Sequence, residues 1–161
     1  MEEFNLDKLK HEYKLLQEKY NLTSFEKLNE DFEIEKIAES ETDFVLREVR
    51  KMIVGRLFDY LKLIESILNP SNASMLVFAI AKAVGVKERE TLADLYKKIG
   101  RIQTEIVKLE LEYSEEKEAE SIKKYVELWN NELRKPLNEI MDSIQKNLDN
   151  KTEDNGKGYF G

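Results

Sequence analysis

The stretch Leu92-Ala-Asp-Leu95-Tyr-Lys-Lys-Ile99-Gly-Arg-Ile102-Gln-Thr-Glu-Ile106-Val-Lys-Leu109-Glu-Leu-Glu-Tyr113 decides the fold class. Its apolar positions 92, 95, 99, 102, 106, 109 and 113 alternate spacings of three and four over three heptads. That is the repeat of one helix face, whereas a strand repeats every second residue. So long an apolar seam does not stay in water and faces either another segment of this chain or another chain. Continuing the register would put Glu116 and Glu120 in the seam, so the helix is predicted to break near Ser114. Ser114 is a good N-cap, and Glu115 and Glu116 suit the dipole of a new first turn. The pattern then resumes in Ala119, Ile122, Val126, Trp129 and Leu133. Equal spacing across a short break predicts an antiparallel helical hairpin formed by 90–113 and 115–133.

Outward from the hairpin the same period recurs. Residues 43–68 carry a stripe of Leu46, Val49, Ile53, Leu57, Tyr60, Ile64 and Ile67, flanked on both sides by further apolar residues, and Asn69-Pro70 ends it. More than half of the helix circumference is apolar, which predicts a long central helix. Leu6, Leu9, Tyr13, Leu16 and Tyr20 predict a first helix over 6–20 with Asn5 as cap, and Thr23 with Glu26 predicts a capping box for a short second one. Residues 32–37 read as a connector. The apolar run Ala73 to Val84 predicts a helix buried on every side and stopped by Gly85. Pro136 is predicted to kink or restart the last helix, whose stripe resumes in Leu137, Ile140, Ile144 and Leu148. Gly55 and Gly100 lie inside helices, where they are expected to allow close crossing. The expected architecture is therefore all-α: a compact multi-helix bundle with one helical domain over 1–148 and a disordered tail over 149–161, which lacks an apolar period.

Composition narrows the function classes. The chain has 161 residues, 26 basic against 33 acidic, one His and no Cys. Zero Cys excludes disulfides, thiolate metal sites and cysteine nucleophiles, and a lone His excludes paired-histidine metal motifs. No cationic segment followed by an apolar one opens the chain, and the longest apolar run is too short to span a bilayer. A cytoplasmic location is the expectation. There is no Gly-rich phosphate loop and no nucleophile elbow.

Few residues bear on chemistry. His11 falls outside the apolar stripe of its helix and reads as solvated. Glu115, Glu116, Glu118 and Glu120 lack the Asp/Asn alternation and central Gly of a calcium loop and read as a charged first turn. Arg47, Arg50, Lys51 and Arg56 form the best basic group, though not a single basic face, and the first three are the candidate anion site; intramolecular ion pairs with neighbours such as Asp43 and Glu48 are the competing reading. An acidic chain argues against nucleic acid as a partner. Tyr96, Val107 and Leu111 lie off the seam, and Tyr159-Phe160 is an apolar pair in a polar tail; these are the candidate partner-binding residues. No catalytic residue, cofactor or metal ligand stands out.

The runs Leu22-Thr23-Ser24-Phe25-Glu26-Lys27-Leu28-Asn29, Phe32-Glu33-Ile34, Leu46-Arg47-Glu48-Val49-Arg50, Leu68-Asn69-Pro70, Leu95-Tyr96-Lys97-Lys98 and Glu118-Ala119-Glu120 resemble a group of small helical archaeal proteins with no assigned function. The resemblance lies in caps, turns and core positions, implies an all-α intracellular domain and transfers no catalytic residue. The expected function is a non-catalytic protein–protein interaction or assembly module, acting on a protein partner or on itself. The alternative is an enzyme, or a binder of phosphate or nucleic-acid ligands, with a site built from scattered Arg and carboxylates.

Overall fold

Asn5 begins the first helix, α1 (Leu6–Tyr20), by accepting the Lys8 N–H on its side-chain oxygen at 3.0 Å. Asn21, in the left-handed region at φ 54°, ends it. A second helix, α2 (Phe25–Phe32), starts one residue later than the Thr23–Glu26 pattern implies. Ser24 is its cap, accepting from the Lys27 N–H at 3.4 Å, while the Thr23 carbonyl accepts the buried Tyr13 hydroxyl at 2.6 Å. The connector that follows is a 3-10 helix, Ile34–Glu39. Then come α3 (Val45–Leu68), a 3-10 turn at Pro70–Asn72, α4 (Met75–Ala83), α5 (Val86–Leu111), α6 (Glu115–Leu128), a π-helical turn at Trp129–Leu133, and α7 (Arg134–Gly158). The computed structural model describes residues 5–158, and every regular element among them is helical. The all-α class read from the heptads is the one observed.

The described residues fall into two compact units, one made of 5–58 and 103–128, the other of 59–102 and 129–158. Both α3 and α5 contribute to each. In the first unit Leu9 and Tyr13 of α1, Phe25, Leu28 and Phe32 of α2, and Ile34 and Ile37 are buried together with Leu46, Val49, Ile53 and Leu57 of α3. The Tyr13 and Phe25 rings meet edge to face at 5.8 Å between centroids. Pairing of Glu105 with Lys124 and Tyr125 sets α6 antiparallel to the end of α5, with Ala119, Ile122 and Val126 buried. Ser114 caps α6 through the Lys117 N–H at 3.3 Å.

In the second unit Ile64 and Ile67 of α3, Leu92, Leu95, Ile99 and Ile102 of α5, and Leu133, Leu137, Ile140 and Ile144 form the core. Ser143 donates to Glu88 at 2.9 Å, and Lys98 lies 2.8 Å from Glu132. Pro136 has no N–H to offer the carbonyl of Glu132, and the chain widens into the π turn just before it.

Three expectations are corrected here. The first concerns α4, which is not buried on every side: only Ala81 and Ala83 lie in the core. It is nine residues long and packs on α7 by one side, so the remaining positions around its circumference face water. The second concerns the glycines: a Cβ placed on Gly55 or Gly100 meets nothing within 4 Å, so neither serves a close helix crossing. The third concerns 149–161: α7 continues helically to Gly158, nearly three turns past Leu148, because a helix already nucleated gains one hydrogen bond for each residue it adds. Tyr159 and Phe160 lie outside the described residues.

Candidate functional site

Arg47, Arg50 and Lys51 sit on the first turns of α3, but their surroundings differ. Arg50 and Glu118 are fully buried, and they are the buried charged residues of the described chain. The Arg50 Nε donates to Glu118 Oε2 at 2.7 Å and one terminal nitrogen to Glu118 Oε1 at 3.1 Å, a bidentate fork, while the same nitrogen reaches Glu110 Oε1 at 2.6 Å. Burial alone would lower the Arg50 pKa, but the bonds to Glu118 and Glu110 carry it above its ordinary value. The Arg50 bond holds the Glu110 carboxyl below the usual carboxylate range, against a smaller opposing effect of desolvation.

Arg47 Nε is 3.7 Å from Glu118 Oε1, buried and without a hydrogen bond, and its guanidinium lies 4.7 Å from the Tyr113 ring centroid and 5.5 Å from that of Phe44. Lys51 pairs with Glu48 at 3.1 Å on the surface. The three cations thus address carboxylates and aromatic rings of this chain, and Arg50 joins α3 to α5 and α6 within the first unit. The acidic run 115–120 is divided in the same way. Tyr20 and Lys19 donate to Glu115 at 2.7 and 3.0 Å, lowering its pKa, while Glu118 turns inward to Arg50.

Among the candidate partner residues, Val107 and Leu111 are exposed one turn apart on α5 in the first unit. Tyr96 is half-buried and belongs to the second unit, so the three do not form one described strip. His11 is exposed.

The surface that the sequence did not single out is α4 itself. Its carboxyl end is tied down: Asn147 Nδ2 donates to the Ala83 carbonyl at 2.9 Å and Arg89 to that of Ala81 at 3.3 Å. Ser74 caps the other end through the Val77 N–H. Between these anchors Met75 is 91% exposed, Leu76 68% and Phe78 45%, and Val86, just beyond, is 77% exposed. Within α4, positions 75, 79 and 82 are spaced 4 and 3 and share one side, whereas Val86 opens α5 beyond the break at Val84-Gly85. The charge on the helix is Lys82, whose ammonium lies 4.4 Å from the Phe78 ring centroid. No local signal separates this outcome from burial, because the run is apolar on every side.

Among the described residues no group of three or more His, Cys, Asp and Glu is placed to hold a metal ion, and no helix is long and apolar enough to cross a membrane. Compared with protein families, curated proteins and solved structures, the chain matches none.

Proposed function

We propose that this chain is a non-catalytic assembly module that joins a second copy of itself through the exposed face of α4. The observation that carries this reading is the outward position of Met75, Leu76, Phe78 and Val86 on an otherwise well anchored segment. Together they leave on the order of 500 Å² in water, within the range of the largest apolar patch of an ordinary monomer, a patch that is often functional. Two copies meeting face to face would remove about 1,000 Å², the size of a weak, reversible interface.

A second copy is favoured because the face is self-complementary. It has one charge, already set against an aromatic ring, so it offers no charge pattern to a charged partner. A two-fold axis at position 77 lays Leu76 of each helix beside Phe78 of the other and Met75 beside Ala79, large residue against small. An interface of this size fits micromolar affinity.

Sedimentation velocity over a concentration series tests the proposal. A reversible dimer is expected, and Leu76→Glu is expected to weaken it at least about tenfold by burying an unpaired charge. Leu76→Glu and Phe78→Asp should both keep the wild-type helical signal, since neither side chain is in the core. A monomer at every concentration overturns the proposal. So does a dimer that survives Leu76→Glu but is lost in Val107→Asp.

A further inference from the structure

A groove of about 580 Å³ lies along α7 in the second unit, apart from the α4 face. Small-molecule sites typically range over about 300–1,000 Å³. One wall is aromatic: Tyr60 and the buried Trp129 stack with centroids 5.3 Å apart and planes inclined by 25°. Asn130, Arg134 and Asn138 recur every four residues, so they line one side of the helix, and Lys135 completes the rim.

Three properties of this lining point the same way. Its charged members, Arg134 and Lys135, are both cations, and no carboxylate is among the described residues that line it, although the chain as a whole carries a net charge of -7. Lys135 is strongly exposed and its nearest acid, Glu139, is 3.9 Å away, too loose to neutralise it. The carboxamides of Asn130 and Asn138 carry no hydrogen bond to other described residues, which leaves donors and acceptors facing the groove. The wall also begins in the π turn Trp129–Leu133, a departure from α geometry of the kind that recurs at binding sites because it re-aims side chains.

We infer that this groove binds a small planar aromatic molecule bearing an anionic group, the chemistry of a mononucleotide. The ring packs against Tyr60 and Trp129, the carboxamides of Asn130 and Asn138 address its polar edge, and Arg134 with Lys135 takes the anion. Stacking on aromatic side chains and charge-assisted hydrogen bonds are the two contributions that make such ligands bind.

Trp129 is the chain's single tryptophan, so its fluorescence reports on this groove alone. Titration of the full chain with adenosine monophosphate is expected to change that emission saturably, with a dissociation constant below about 1 mM. Adenosine, which lacks the anion, should bind about tenfold more weakly, and inorganic phosphate alone should leave the emission unchanged. Arg134→Ala with Lys135→Ala should bring adenosine monophosphate down to the affinity of adenosine, with an unchanged helical signal because both side chains are exposed. The absence of saturable change overturns the inference. So does equal binding of adenosine and its monophosphate, or a double variant that binds the monophosphate as tightly as wild type. Sedimentation measures the α4 proposal separately, so either result can fail without the other.

Discussion

Replacing Glu118 by Ala is expected to destabilise the first unit strongly although it removes no apolar side chain. The reason is what it leaves behind. Arg50 keeps its charge, stays buried, and loses both arms of the fork at 2.7 and 3.1 Å, with Glu110 as its remaining carboxylate. Breaking a buried pair by removing one partner costs about 3–5 kcal/mol. The Glu110 contact offsets part of this, which places Glu118→Ala near about 3–4 kcal/mol. Glu118→Gln keeps the shape and one acceptor and should cost about 2 kcal/mol, the value of a hydrogen bond to a charged group. Glu110→Gln should cost less than about 1 kcal/mol, because that side chain is 44% exposed and water screens it. The decisive variant is the double replacement Arg50→Met with Glu118→Leu, which removes both charges and fills the volume; it should recover most of the loss. Urea unfolding followed by circular dichroism supplies the four free energies. If Glu118→Ala costs under about 1 kcal/mol, or if the double variant is no better than the single one, the cluster is not held by its charges and this reasoning fails.

Two further outcomes follow from local geometry. Gly55→Ala and Gly100→Ala should each stabilise the protein by about 0.5–1 kcal/mol, since a methyl group meets no atom within 4 Å and helix propensity improves; a lower melting temperature in either variant would mean that a close contact exists there. Stability should also fall in acid. Bonds from Arg50 to Glu110, and from Tyr20 and Lys19 to Glu115, hold these carboxyls below their ordinary values in the folded chain. The unfolded chain therefore binds more protons in that interval. The stabilisation is complete above the unfolded value of about 4.3 and is lost as the pH falls through the folded values. Urea midpoints measured from neutral pH downward should be flat and then decline below about pH 4.3, and Glu110→Gln with Glu115→Gln should flatten the decline; an unaltered decline in that double variant would show that other groups set it.

The helices were legible because their evidence is local. The cap at Asn5, the stop at Asn69-Pro70 and the break at Ser114 each involve residues within one or two turns of the element they bound, and the stripes report a periodicity that burial in any direction preserves. Partner choice is not local. Periodicity places Arg50 at the edge of the α3 stripe, but its fork to Glu118 spans 68 positions and its contact with Glu110 spans 60, distances over which no spacing rule applies. The same limit explains α4. Apolarity around a whole helix says that burial would be favourable, not that the chain has enough surrounding surface to supply it. The turns at Pro70–Asn72 and Val84-Gly85 leave nine helical residues with α7 along one side and water along the other. Read that way, the mismatch between α4's composition and its exposure is itself informative. Folding gains little from Met75 and Leu76 where they stand; in the assembly we propose, their contribution comes from a contact between folded chains, and the concentration dependence of association is where it should be measured.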